Sequence, residues 1–101
     1  MLGVAHLDSD LRLIGLRVHP SNSMTGVDLP LRTIVADAMR LGSRGLLIAH
    51  NHPSGDPQPS RADLAATRTL VQVTRPIGIQ LHDHIVFSSS GHVSLREAGL
   101  L

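Results

Sequence analysis

The residues best suited to chemistry lie in one stretch, His50-Asn51-His52-Pro53-Ser54-Gly55-Asp56-Pro57-Gln58-Pro59-Ser60-Arg61-Ala62-Asp63. His50 and His52 stand two apart at the expected end of a strand, where alternate side chains project to the same side, so both imidazoles can face one ion. That spacing alone is weak. Seven histidines in 101 residues give roughly half an accidental His-x-His pair, and His82-Asp83-His84 is a second pair of the same kind. Ser60 and Asp63 also carry two readings. Ser-x-x-Asp before an apolar-periodic run resembles a capping box, and a carboxylate in the first turn suits the helix dipole. The same carboxylate could still reach a metal held on the adjoining loop.

Composition limits the chemistry. The chain has no cysteine, which removes disulfides, thiolate nucleophiles and cysteine-ligated zinc together. Any metal must be held by histidine and carboxylate. At 101 residues one domain is expected, burying roughly 60 to 70% of its unfolded surface. The longest apolar run, Gly45 to Ala49, is far short of the ~20 residues a membrane-spanning helix needs. Met1 to Asp10 has no basic region, apolar stretch and cleavage site in series, so it does not read as a secretion signal. Cytoplasmic residence is expected. The formal net charge is only +1, although every basic residue is arginine and the pI is about 9.1. Phe87 is the one aromatic residue besides histidine, leaving almost nothing on which bases could stack. Direct nucleic-acid binding is therefore not expected.

The elements that must position these residues can be read in order. Leu2 to Leu7 and Leu11 to Val18 are apolar-rich runs separated by Asp8-Ser9-Asp10, which predicts a β-hairpin. His19 to Asp28, with Pro20, Ser21, Asn22, Ser23 and Gly26, reads as a surface loop. Leu31, Ile34, Val35, Ala38, Met39 and Leu41 recur at helical spacing, with Pro30 suited to the first turn and Gly42 to the position past the end. Gly45 to His50 predicts a buried strand opening onto a loop, Asn51 to Pro59. A second helix is predicted over Arg61 to Thr74, with Leu64, Thr67, Leu70 and Val71 on its buried face and Pro76 beyond it. Ile77 to Leu81 and His84 to Ser88 read as separate strands, Ser89 to Gly91 as a turn and His92 to Leu95 as a last strand. This order favours an α/β (α+β) fold, a mixed sheet with helices packed on it. Ligands in such sheets gather where strands end in loops, as at His50 to Ser60.

Taken whole, the string from His50 to Asp63 resembles the signature of the JAMM (MPN-plus) metalloprotease superfamily, and specifically its RadC branch, whose members are often labelled DNA repair proteins. Asp83-His84 and the closing Val93-Ser94-Leu95-Arg96-Glu97-Ala98-Gly99-Leu100-Leu101 resemble the end of a RadC protein. The resemblance covers nearly the whole chain and implies a JAMM/MPN-like fold of the cytidine deaminase-like kind. It implies His50, His52 and Asp63 as zinc ligands with water in the fourth position. Ser60 would stabilise the oxyanion formed at an attacked peptide or isopeptide carbonyl. Proteins or peptides are the partners it implies.

The superfamily's base is a glutamate on an early strand, and that glutamate is missing. The one glutamate is Glu97, placed in the tail by its motif match. Matching the hairpin to RadC puts the family glutamate just before Met1. In another register Arg17 or Val18 would stand there and cannot serve, while Asp8 and Asp10 belong to the hairpin turn. RadC proteins also carry a helical N-terminal region not seen here. Either the chain is a fragment whose parent holds the base, or it is a non-catalytic, metal-stabilised module of a DNA-processing complex. Asn51 and Ser54 could touch substrate or shape the turn, His84 could orient a ligand or simply pack, and His6, His19 and His92 are expected to be structural or exposed.

Overall fold

A computed structural model describes residues 1–20, 29–52 and 55–101. Most of the predicted loop from His19 to Asp28, and Ser54 within the motif, fall outside the described residues. The elements are β1 (Leu2–Leu7), β2 (Leu13–His19), α1 (Leu31–Leu41), β3 (Gly45–Asn51), α2 (Arg61–Thr74), a 3-10 turn (Arg75–Ile77), β4 (Gln80–Ser88) and β5 (Gly91–Ser94). The strands form one mixed sheet in the order β2-β1-β3-β4-β5, with β3 and β4 parallel and the other pairs antiparallel. This is the predicted α+β architecture. Among the described residues no helix is long and apolar enough to cross a membrane.

The hairpin forms because Asp8 Oδ1 accepts from the backbone N–H groups of Asp10 and Arg12, at 2.8 and 2.9 Å. α1 ends at Gly42, whose φ of 69° suits glycine and lets its N–H turn back onto Ala38 and Met39. The crossovers β2-α1-β3 and β3-α2-β4 step the same way along the sheet. Right-handed connections therefore put both helices on one face. There Leu2, Val4, Leu46 and Ile48 meet Ile34, Ala38 and Leu70 in the buried core. Alternation sends Leu16, Val18, Leu47 and Phe87 to the opposite face, where they remain exposed.

Two expectations are corrected. Ile77 to Leu81 and His84 to Ser88 are not separate strands: Ile77 closes the 3-10 turn, and Gln80 through Ser88 run as one strand. Asp83 does not turn the chain, because its carboxylate accepts from Ser94 Oγ and Arg96 N and so ties the C-terminal segment to the sheet. The extra residue, His82, is absorbed by a bulge, since Leu46 pairs with Leu81 and Leu47 with Asp83. Met39 is exposed and Asp37 is buried, so the inner face of α1 is rotated toward Asp37. Arg17 on β2 and Arg40 flank that carboxylate at 4.0 and 3.3 Å, which makes its burial tolerable.

Candidate metal centre

His50 lies near the end of β3 on the helix-covered face, opposite Leu2 of β1 and Val86 of β4. Beyond it, His52 is held by its N–H to the carbonyl of Phe87 at 2.7 Å. Asp63 approaches from the first turn of α2. That turn is a complete capping box: Asp63 N donates to Ser60 Oγ at 3.0 Å, and Ser60 N donates to Asp63 Oδ2 at 2.7 Å. The cap thus aims one carboxylate oxygen and leaves the other, Oδ1, without a hydrogen bond.

His50, His52 and Asp63 each offer one ligand atom, all within 4.8 Å of one another. His50 Nε2 is 3.3 Å from Asp63 Oδ1, and His52 Nε2 is 2.8 Å from Asp63 Oδ2. Ligands ~2.0–2.1 Å from a tetrahedral ion stand roughly 3.3 Å apart, which the His50–Asp63 separation matches, while the set as a whole lies within 4.8 Å. Asp63 is fully buried and His50 nearly so.

Proton placement shows why the cluster suits a cation. His52 Nδ1 lies 2.9 Å from the carbonyl of Asp56. A carbonyl only accepts, so Nδ1 carries a proton, while Nε2 meets Asp63 Oδ2 in hydrogen-bond contact at 2.8 Å. On the other side Thr67 Oγ1 donates to the carbonyl of Asp63 at 2.7 Å, having spent its only proton. It must therefore accept from His84 Nδ1, 2.7 Å away. His84 Nε2 is then a lone pair and accepts from His50 Nδ1 at 2.8 Å. His50 Nε2 is left bare toward Asp63 Oδ1, and neither atom has a hydrogen-bond partner. His50 Nε2, His52 Nε2 and the Asp63 carboxylate converge, with His50 Nε2 and Asp63 Oδ1 buried and unpartnered, an arrangement a metal ion relieves.

Electrostatics agree. Burial, opposed by the Asp63 charge, holds His50 below the usual histidine range. Burial works against the charge on Asp63, but the backbone and side chain of Ser60, with His50 and His52, outweigh it and hold the carboxyl below its ordinary value. Burial, with His50 beside it, pushes His84 down to about 4. A neutral His50 and an ionised Asp63 are the states a cation requires.

A family model described as the RadC-like JAB domain matches residues 1–100. The chain belongs to the RadC family. A UPF0758 protein of Symbiobacterium thermophilum is 40% identical over 95 residues, which cover 94% of this chain and 41% of that relative. The chain therefore spans about two fifths of that relative's length.

Within this RadC-family site the motif residues separate clearly. His50, His52 and Asp63 come together and could hold a metal ion. Ser60 is at the cap beside them, while Asn51 is an exposed strand residue whose N–H meets the carbonyl of Met1. His84 joins the site through His50, whereas His82 lies against Gly45 at the far end of the sheet. Glu97 is in the turns after β5, its N–H on Ser94 Oγ. Asp8 and Asp10 sit in the hairpin turn, at the end of β1 remote from His50. His6 is buried and bonded through Nδ1 to Ser43 Oγ at 2.8 Å, and the exposed His92 lies beside Phe87. Among the residues that sequence reasoning left undecided, His84 is the one brought to the site. Its only local signal is membership of a second His-x-His pair, and its partners are 17 and 34 residues away.

Proposed function

We propose that the chain carries the zinc centre of a metal-dependent hydrolase that cleaves peptide or isopeptide amides. The convergence of His50, His52 and Asp63, with His50 Nε2 and Asp63 Oδ1 buried and unpartnered, carries this reading. Zinc in such a site polarises a carbonyl and lowers the pKa of water to about 7. His50, His52 and Asp63 would hold the ion, with the outer nitrogens of the two histidines tied to His84 and to the Asp56 carbonyl. Ser60 Oγ accepts from Asp63 N, which leaves its own proton free to donate to an oxygen that gains charge during attack. A base is still required, and none of the described carboxylates other than Asp63 lies in the cluster. Leu2 pairs with His50, and the Met1 carbonyl meets Asn51. A glutamate preceding Met1 in a longer parent chain would enter the site along β1 and supply the base. We assign its partners to proteins or peptides, within the repair-associated role for which the family is labelled, and its residence to the cytoplasm.

Metal analysis of protein purified without an affinity tag tests the metal assignment. About one equivalent of zinc, lost in His52→Ala, is expected; under a tenth of an equivalent, unchanged by that substitution, sinks it. Release of a fluorogenic peptide amide by the parent chain, abolished by chelator, tests the hydrolase assignment. A second reading, a metal-stabilised interaction module, is favoured by the absence of a glutamate beside the cluster. It predicts a chelator-sensitive melting temperature with no amide cleavage by the parent chain.

A further inference from the structure

At the end of the sheet away from the metal centre, three guanidinium groups border one cavity. Arg44 immediately precedes β3, Arg75 follows the last residue of α2, and Arg96 lies in the segment after β5. The cavity encloses about 530 Å³, within the ~300–1,000 Å³ typical of small-molecule sites. Its lining contains no aspartate or glutamate, and the one anionic group it can offer is the terminal carboxylate of Leu101. Among the described residues none of the three arginines has an ion pair, and only Arg96 spends a side-chain N–H on the protein, at 3.4 Å from the carbonyl of His82.

The arrangement is supported by the backbone. Gly78 has φ +79°, and a Cβ there would stand 3.2 Å from Arg44 Nη1, so the bare glycine gives that guanidinium its place. Arg75 also offsets the carbonyl end of α2, but a helix end supplies only about half a charge. Even with the terminal carboxylate of Leu101 and the helix end both counted, the three guanidiniums leave a net positive charge around the cavity. Arginine forks match oxyanions bidentately, and a single carboxylate would answer only one of them. Beside the guanidiniums, Val71, Ile79 and Leu81 form an apolar wall, which suits an organic body attached to the anion.

We propose that this cavity binds a small phosphorylated molecule, its phosphate oxygens held by Arg44, Arg75 and Arg96 and its organic part set against the apolar wall. The site is independent of the metal reading. Repeating phosphodiesters are less well matched, because the cavity is on the scale of one ligand and its lining offers a single ring, His82, for stacking.

Isothermal titration of the full chain with pyrophosphate and with ADP tests the assignment, in ~50 mM salt with EDTA so that phosphate at the metal centre is not read. Both ligands should bind at one equivalent, at least tenfold more weakly in Arg44→Ala and in Arg75→Ala. Arg68→Ala, which removes an exposed arginine of α2 outside the cavity, should change either affinity less than twofold. Arg75→Gln keeps much of the stem without the charge and replaces Arg75→Ala if that variant does not fold. Absence of binding, equal weakening by Arg68→Ala, or binding confined to a single-stranded oligonucleotide would overturn the proposal.

Discussion

His50 and His84 share one proton across 2.8 Å, and the carbonyl of Asp63 decides which of them holds it. Asp63 thus acts twice at the centre, through its carboxylate and through its backbone, with Thr67 and His84 relaying the second effect.

Removing the relay should loosen metal binding without touching a ligand. Loss of such outer hydrogen bonds lowers metal affinity by about 10- to 100-fold. Thr67→Val keeps the volume, deletes the acceptor of His84 Nδ1 and should fall at the lower end of that range. His84→Leu should fall at the upper end. Competition with a chromophoric chelator measures both, and an unchanged affinity in a folded His84→Leu protein would refute the relay.

Asp63→Asn separates the two tasks of the carboxylate. The amide oxygen can still accept from Ser60 N, and the amide N–H can meet the His50 lone pair that the carboxylate opposes. Zinc binding should be lost, yet the metal-free variant should exceed the metal-free parent by about 1 kcal/mol, the net worth of one hydrogen bond. Urea melts in chelator give the comparison, and a less stable variant contradicts the assigned proton positions.

The capping box can be read by substitution at Ser60. Alanine removes the acceptor for Asp63 N and should lower stability by about 1 kcal/mol. For a domain of this size that corresponds to roughly 4–8 °C in Tm. Threonine should recover most of the loss in thermal melts carried out with chelator. If Ser60 also steadies the developing oxyanion, Ser60→Ala should lower kcat of an active parent by about 10²–10³-fold, and Ser60→Thr should retain the higher rate.

Acid should destabilise the metal-free protein above the carboxylate range. His84 has a folded-state pKa of about 4 against 6.5 unfolded, and His6 is lowered in the same direction, chiefly by burial. The unfolded chain therefore binds more protons, so stability is held above about pH 6.5 and is lost as pH falls toward 4. For His84 the loss between pH 7 and 5 is about 2 kcal/mol. Urea unfolding at both pH values should show it, and His84→Leu should reduce the difference by about that amount.

Much of this was legible in order along the chain. The hairpin, both helices and the His50-to-Asp63 cluster follow from short-range rules: alternation, helical spacing, a cap and a loop. His50, His52 and Asp63 are within fourteen residues of one another, so strand end and helix start suffice to bring them together. His84 was not legible as part of the site, because its place depends on β3 and β4 pairing in parallel across an intervening helix. The same pairing made one strand, Gln80 to Ser88, where two were expected at Ile77 to Leu81 and His84 to Ser88. Asp83 is a turn former whose carboxylate is engaged by Ser94 and Arg96, and no local pattern announces that. The burial of Asp37 likewise depends on Arg17, twenty residues upstream on another element.

β3 separates the metal centre from the arginine-lined cavity. From Arg44 to His50 the strand advances six steps of ~3.3 Å, roughly 20 Å, more than twice the ~8 Å over which physiological salt screens charge. An anion arriving at one end should barely perturb the field felt by a cation at the other. The two ends can be charged in either order, so any dependence of one on the other would have to travel through movement of the strand itself.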